Sequence, residues 1–507
     1  MLIDEIIEQI DEGGPKSYYS FETFVLNLLK HHLELQEKTL VTKLPFSHFG
    51  DALAPLGFDG LEGPVLFEIK FALARIPLIF LVQKLASSLS DQKKSEHQAK
   101  TVVFISAKPV PEKTRNRLLN MLEGMATPMS FKIWGPEELN RIVELHAEKA
   151  TEISRNLFAL RLETATTTPP LDWKNEREDI IQKLAQLYRN GQFSLFLGAG
   201  VSSSAGMPDW NKLLNSLFVT YLAQELDPDD GIDDAAIGEL VARLNAVDEP
   251  SSLMAARYLR KGLTRPGSET KGFVKAVTKS LYGLRNTDFP PDSSLITSIA
   301  TLCTPRRSGA KVRSVVTYNF DDLIERQLSQ KSIFHKCIYT QNETYDPDEL
   351  PIYHVHGFIP ENDAGYDHLD ASTLVFSEEG YHQIYSDPYH WSNLVQLNNL
   401  RENNCLMIGL SMTDPNLRRL LDIAARNIES SKHFAFMKRL TEDRFCFDKD
   451  KISGVKTPAL RNLNSARQFL ERHHLLNEEL MKELGVTIIW YEDYDDIPRI
   501  LKQITDS

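Results

Sequence analysis

The stretch that most constrains this chain is Ser194–Trp210, SLFLGAGVSSSAGMPDW. A short apolar run that stops in a glycine pair and a serine-rich turn is the pattern of a buried parallel strand entering an anion-cradling loop. Gly198 and Gly200 let backbone approach a pyrophosphate, and Ser202–Ser204 add hydroxyl donors. The following WNKLLNSLFVTYL has helical spacing, which would turn a helix N-terminus towards the charge. Three later segments also read as a strand running into a polar turn: VRSVVTYNFDDLI at 312–324, IYHVHGF at 352–358 and CLMIGLSMTDPNLRRLL at Cys405–Leu421. Strands alternating with helices in this way predict an α/β fold with a doubly wound, Rossmann-like parallel sheet.

The string GAGVSSSAGMPDW resembles the opening motif of the sirtuins, GAGIS followed by a GIPDF-like element at the same spacing. Thr317-Tyr318-Asn319-Phe320-Asp321 resembles the sirtuin T-Q-N-I-D element, and His356-Gly357 resembles the pair that supplies the catalytic histidine. The turn at Gly409-Leu410-Ser411 looks like the late nucleotide-binding loop of the same family. The four motifs stand in family order from about Gln192 onward.

The resemblance implies an NAD site. Gly198, Ala199, Gly200, Ser202, Gly409 and Ser411 would bind the dinucleotide, with Thr317, Asp209 and Asp321 lining the pocket, the two aspartates on the nicotinamide side. Asn319 would position the water or the ribose, and His356 would act as general base. Singly, each residue also has an ordinary role: Asn319 and Asp321 suit a turn before the helix DDLIERQL, His356 a core histidine, and Ser411 with Asp414 a cap before NLRRLL. The joint occurrence favours the site.

One departure from the family pattern matters. Sirtuins carry a module with four zinc-ligating cysteines, whereas Cys303, Cys337, Cys405 and Cys446 lie far apart with no C-x-x-C pair. No zinc is therefore expected, and protein deacylation gives way to hydrolysis of NAD to ADP-ribose and nicotinamide. A helical insertion at about 211–307 would lie over the site as a lid. Zinc-free sirtuin-like domains joined to nuclease-like or sensor domains resemble effectors of prokaryotic anti-phage, abortive-infection systems. Such an enzyme would be held quiet until a homo-oligomer or a separate sensor or activator protein switches it on.

Residues 1–162 read as a separate α/β domain. Two helices joined at GGPKS precede the strand PVLFEIK, on which Glu68 and Lys70 project the same way. Asp59 upstream and Glu22 on the preceding helix would converge with them. Asp59 and Glu68 would then hold Mg²⁺ while the lysine orients water for phosphodiester hydrolysis. This arrangement, with its α-β-β-α-β order, resembles restriction-endonuclease-like domains of the Mrr type, although E-x-K alone also describes a solvated edge strand. The basic strip from Lys93 to Arg117 is a candidate for DNA contact through this domain. Glu163–Pro170, ETATTTPP, reads as a linker, and the sirtuin-like domain would occupy 171–507.

Composition narrows the classes. A chain of 507 residues is too long for one core, and a net charge of −13 excludes a protein coated for nucleic acid. No run of about 18 apolar residues is present, so a membrane span is excluded. The acidic start MLIDEIIEQIDE is unlike a signal peptide and points to the cytoplasm. The rival reading makes the first domain a Mg²⁺-dependent DNA nuclease and the second only a sensor of NAD or ADP-ribose; a catalytically idle scaffold is a third.

Overall fold

The apolar run at Phe193–Leu197 forms the middle strand of a seven-stranded sheet, every residue of it buried. The computed structural model describes residues 1–42, 50–79, 99–124, 129–167, 173–209, 269–372, 386–426, 431–449 and 455–506, with isolated positions between them. Most of the insertion at 211–307, the helix read at LIFLVQKLASSL and the end of the ETATTTPP stretch lie outside those residues.

The chain divides into two units. The first comprises Met1–Asp179 with Ala425–Ser431 and Glu442–Val486, and the second comprises Ile180–Ala424, Lys432–Thr441 and Thr487–Ser507. In the first unit β1 (Ala52–Ala54), β2 (Val65–Lys70), β3 (Thr101–Ser106) and β4 (Ser130–Trp134) form one sheet in that order. The β1–β2 pair is antiparallel and the next two pairs are parallel. The helix Leu2–Ile10 buries Ile3, Ile6, Ile7 and Ile10, the i, i+3, i+4, i+7 stripe of an amphipathic helix. That stripe joins Phe21, Phe24, Leu28 and the strand residues Phe67 and Ile105 in one core.

In the second unit β5 (Phe193–Leu197) lies between β6 (Val312–Thr317) and β9 (Asn404–Ile408). Beyond β6 come β8 (Leu350–His354) and β7 (His335–Ile338); beyond β9 come β10 (His433–Lys438) and β13 (Val486–Tyr491). Every pairing from β10 across to β7 is parallel. The mixed α/β fold with a parallel sheet agrees with the reading from sequence. Connections from β5 leave towards β6, while β9 lies on its other side, so the strand order reverses at β5 and opens a crevice at the strands' carboxyl ends. The two strands β11 (Phe447–Lys449) and β12 (Lys456–Pro458) form a small antiparallel pair in the first unit.

Two boundaries differ from the sequence reading. Residues 163–167 are the last turns of the helix Leu157–Thr167 rather than linker coil, and the first unit continues to Asp179. The reason lies far away in the chain. The polar excursion after Leu440 contains the helix Leu463–Glu483, whose Glu479 and Glu483 pair with Arg161 at 2.7 and 2.6 Å. Arg161 and Glu479 are about one-tenth exposed, so the helix is held by an ion pair that local propensity does not reveal. Arg161→Ala should remove one of the two cations on Glu479, Lys482 Nζ remaining 2.7 Å from its other oxygen, and lower stability by about 2 kcal/mol, read from urea unfolding of the full chain. The double variant Arg161→Met, Glu479→Leu should lose less.

Candidate active site

The loop after β5 is built on close backbone contact. Gly198 N–H donates to the Ile408 carbonyl and Gly200 N–H to the Gly409 carbonyl, both at 2.9 Å. A Cβ at Gly198 would lie 2.6 Å from Gly409 O, and one at Gly200 2.8 Å from Gly409 Cα. Gly409 has φ +71°, and a Cβ there would meet Val201 N at 2.6 Å. The two glycine turns therefore interlock at the carboxyl ends of the adjacent strands β5 and β9. Ala199 opens the short helix Ala199–Ser203, on which Ser202 is buried.

The turn after β6 joins them. Tyr318 N–H donates to Leu197 O at 2.9 Å, and Asn319 Nδ2 donates to Gly198 O at 3.1 Å. Asn319 N–H donates to the buried Thr317 hydroxyl at 3.1 Å. Asp321 is buried, and its carboxylate accepts from Leu323 N–H at 3.3 Å. Burial pushes the Asp321 carboxyl up to about 6, with the Ser202 hydroxyl beside it pulling the other way.

His356 arrives just beyond β8. Its ring packs edge-on against Tyr318 with centroids 4.7 Å apart, and its Nε2 lies 3.9 Å from Asp414 Oδ2. The Tyr318 hydroxyl donates to Gln396. Burial holds the His356 imidazole below its ordinary value, and the Asp414 carboxylate offsets this only in part. Asp414 also caps the helix that begins at Pro415, accepting from Leu417 N–H at 2.7 Å. Asn319 and His356, 37 positions apart in sequence, thus follow the ends of the paired strands β6 and β8, where Thr317 lies opposite His354.

Two predicted residues sit further out. Ser411 is exposed and hydrogen-bonded to the Thr413 hydroxyl at 2.6 Å. Asp209 is exposed and accepts from Lys212 N–H at 2.8 Å. The structure adds Tyr318, Asp414 and Gln396 to the cluster. Asp414 had a sequence signal in the D-P-N start of a helix, and Tyr318 stands within the Thr317–Asp321 motif; Gln396 is legible only once the strands are paired.

Residues 313–452 match the SIR2-like domain family. The SIR2-like match begins one residue into β6 and takes in Asn319, His356, Gly409 and Asp414. Among curated proteins the chain is similar to the NAD(+) hydrolase ThsA of Enterococcus faecium, 22% identical over 65% of this chain and 58% of that protein. It is also similar to proteins of the same name from Acinetobacter baumannii, 20% identical over 66% of this chain and 57% of the relative, and from Bacillus cereus, 22% identical over 55% and 53%. The chain therefore spans somewhat more than half the length of these relatives.

In the first unit Glu68 is fully buried on the central strand β2, and its Oε1 accepts from Lys70 Nζ at 2.7 Å. Asp59 does not join them. It sits at φ +40° in a turn, and its carboxylate is bound by His32 Nε2 at 2.9 Å and by Gln36 at 3.1 Å. Burial works against the Asp59 carboxylate, but the His32 and Gln36 hydrogen bonds hold it below its usual range. Asp51 takes the expected place, accepting from Ile69 N–H at 2.6 Å. Both aspartates precede the strand; only the antiparallel register Ala52↔Phe67 distinguishes them. The Glu22 carboxyl is pushed up to about 8 by burial and by Asp51, while Lys70 and Lys482 pull it down. Burial opposes the Lys70 ammonium, yet Glu68 and Asp51 prevail and raise it. The carboxylates Asp51 and Glu68 are hard oxygen donors of the kind Mg²⁺ takes.

The Asp321 shift makes a stability prediction. Its folded value lies above the ordinary 3.8, so the folded state gains from the proton and gives that gain up as pH rises through 4 to 6. Between pH 4 and pH 7 this one group should remove up to roughly 3 kcal/mol. In chemical denaturation at several pH values, Asp321→Asn should lose that component of the slope.

Proposed function

We propose that this protein is a NAD hydrolase that yields ADP-ribose and nicotinamide, acting as a regulated effector of anti-phage defence. The observation that carries the reading is the convergence of two interlocked glycine turns, Asn319 and the His356–Asp414 pair at the reversal point of a parallel sheet. The SIR2-like match and the three NAD(+) hydrolase relatives support the same reading. A soluble, cytoplasmic setting is part of the proposal; among the described residues no helix is long and apolar enough to cross a membrane.

The chemistry asks little covalent help of the protein. Cationic nicotinamide is already a good leaving group, and breaking its bond to ribose C1′ leaves an oxocarbenium-like centre that water attacks. The loops at Gly198–Ser202 and Gly409 would bind the pyrophosphate through backbone N–H groups other than those of Gly198, Gly200 and Val201, which bond within and between the two turns. The Asn319 amide nitrogen is committed to Gly198 O, which leaves its side-chain carbonyl to accept from water or a ribose hydroxyl. Asp321, ionised above about pH 6, would sit on the side of the cationic nicotinamide. His356, kept neutral by burial, would take the proton that water releases as its oxygen bonds to C1′.

The test is NAD content in phage-challenged cells at matched expression. Wild type and Lys70→Ala should lose NAD, whereas Asn319→Ala and His356→Ala should hold it, with rates down at least about 100-fold. Equal NAD loss in all four sinks the proposal. The pH profile gives a second check. Because burial lowers His356, the acid limb should fall below the ordinary imidazole value near 6.5. Asp414→Asn, which still caps the helix but removes the raising charge, should move that limb lower still.

A second reading is favoured by the Glu22, Asp51, Glu68 and Lys70 group, of which Glu68 is fully buried: metal-dependent phosphodiester cleavage by the first unit, with Asp51 and Glu68 holding Mg²⁺. Phage-induced DNA loss that depends on Asp51 and Lys70, with NAD intact, would select it. DNA contact by this unit and assembly into a homo-oligomer or with an activator belong to the proposal as well.

A further inference from the structure

Behind the Asn319 turn lies a buried polar cluster to which the proposed mechanism assigns nothing. His354 is the last residue of β8 and Glu325 lies in the first turn of the helix Leu323–Gln330; they are 1% and 2% exposed. His354 Nδ1 lies 3.0 Å from the Asn319 carbonyl oxygen, and His354 Nε2 lies 2.7 Å from Glu325 Oε1. A carbonyl only accepts, so Nδ1 carries a proton and donates it to Asn319 O. One further proton is shared between Nε2 and the carboxyl. The Phe358 ring packs against the imidazole with centroids 4.3 Å apart, and Cys337 Sγ lies 3.9 Å from the same Glu325 oxygen.

We propose that Glu325 and His354 are positioning residues for NAD cleavage: the carboxyl orients the imidazole, and the imidazole fixes the backbone carbonyl of Asn319. Stability gives no reason for the pair, because burying two ionisable groups where hydrocarbon would pack carries a desolvation penalty. Orientation does give one. Asn319 is tied at its N–H to Thr317, at its side chain to Gly198 and at its carbonyl to His354. The carbonyl tie to His354 fixes the tilt of the peptide that follows Asn319, between the side-chain bond to Gly198 and the bond from Ile359 N–H to Phe320 O, and with it the angle of the side chain. A near-ångström error in such a group costs on the order of 100-fold in rate.

A thiol, an imidazole and a carboxylate lying within 4.8 Å of one another are also a donor set for a metal. The hydrogen-bond length of 2.7 Å between nitrogen and oxygen speaks for the direct link, since ligands on tetrahedral zinc stand about 3.3 Å apart.

The inference rests on NAD cleavage being the activity. Its test therefore begins with wild type, and only variants measured against an active wild type judge the positioning role. In phage-challenged cells His354→Leu and Glu325→Leu should each slow NAD loss at least tenfold. Glu325→Gln, whose amide still bonds Nε2, should keep at least half the rate. With purified full-length protein, the leucine variants should retain the melting-temperature rise that NAD gives wild type, because the glycine turns still bind the dinucleotide. Glu325→Leu keeps the imidazole and serves where His354→Leu fails to fold. The positioning role is overturned by any one of three results: leucine variants within twofold of wild type, NAD binding lost along with turnover, or Glu325→Gln as slow as Glu325→Leu. Stoichiometric zinc that Cys337→Ser removes would overturn it too. A wild type that leaves NAD intact instead overturns the proposed function, and this inference with it.

Discussion

The second unit depends on one close contact, the meeting of the Gly198–Gly200 turn with Gly409. Two backbones approach there more closely than any Cβ permits, and the Gly198 and Gly200 N–H groups donate across the gap to the Ile408 and Gly409 carbonyls. The contact ties the carboxyl ends of β5 and β9 at the point where strand order reverses. It also sets where the short helix Ala199–Ser203 begins, with Gly198 as its N-cap. Asn319 then hangs from Gly198 O, so the placement of a candidate catalytic side chain is inherited from the glycine turn.

Charge in this region is managed by burial as much as by pairing. Asp321 is pushed up and His356 down by the same loss of water, which favours the neutral form of each group. A carboxyl and an imidazole displaced in opposite directions are suited to different tasks, one electrostatic and one as base. Asp414 limits the displacement of His356 while capping a helix, so one side chain serves both the fold and the proposed chemistry.

The first unit shows how a chain far from contiguous makes one core. Residues beyond Glu442 return to it, and Glu479 and Glu483 secure the helix that carries Arg161. Its polar centre is organised by strand register. Ala52 opposite Phe67 brings Asp51, and not Asp59, to the strand that bears Glu68 and Lys70. Asp59 is engaged instead by His32 and Gln36 on a turn with positive φ.

What the sequence determined by itself was local. An apolar run ending in G-A-G states a buried strand and a close-approach loop, because periodicity and glycine are properties of neighbouring residues. The parallel α/β class and the turns that carry Gly198, Asn319 and His356 were legible for that reason, through motifs that each sit at the end of a strand. Three things were decided only in the tertiary structure: which of two aspartates approaches Glu68, that the threonine-rich stretch begins as helix, and that His354 bonds both the Asn319 carbonyl and Glu325. Each depends on residues distant in sequence, from Ala52 and Phe67, 15 positions apart, to Arg161 and Glu483, 322 apart, meeting across a sheet register or a buried ion pair. Such contacts are settled by the packing of distant elements and by the desolvation of charges within it, and neither leaves a periodic trace in the chain.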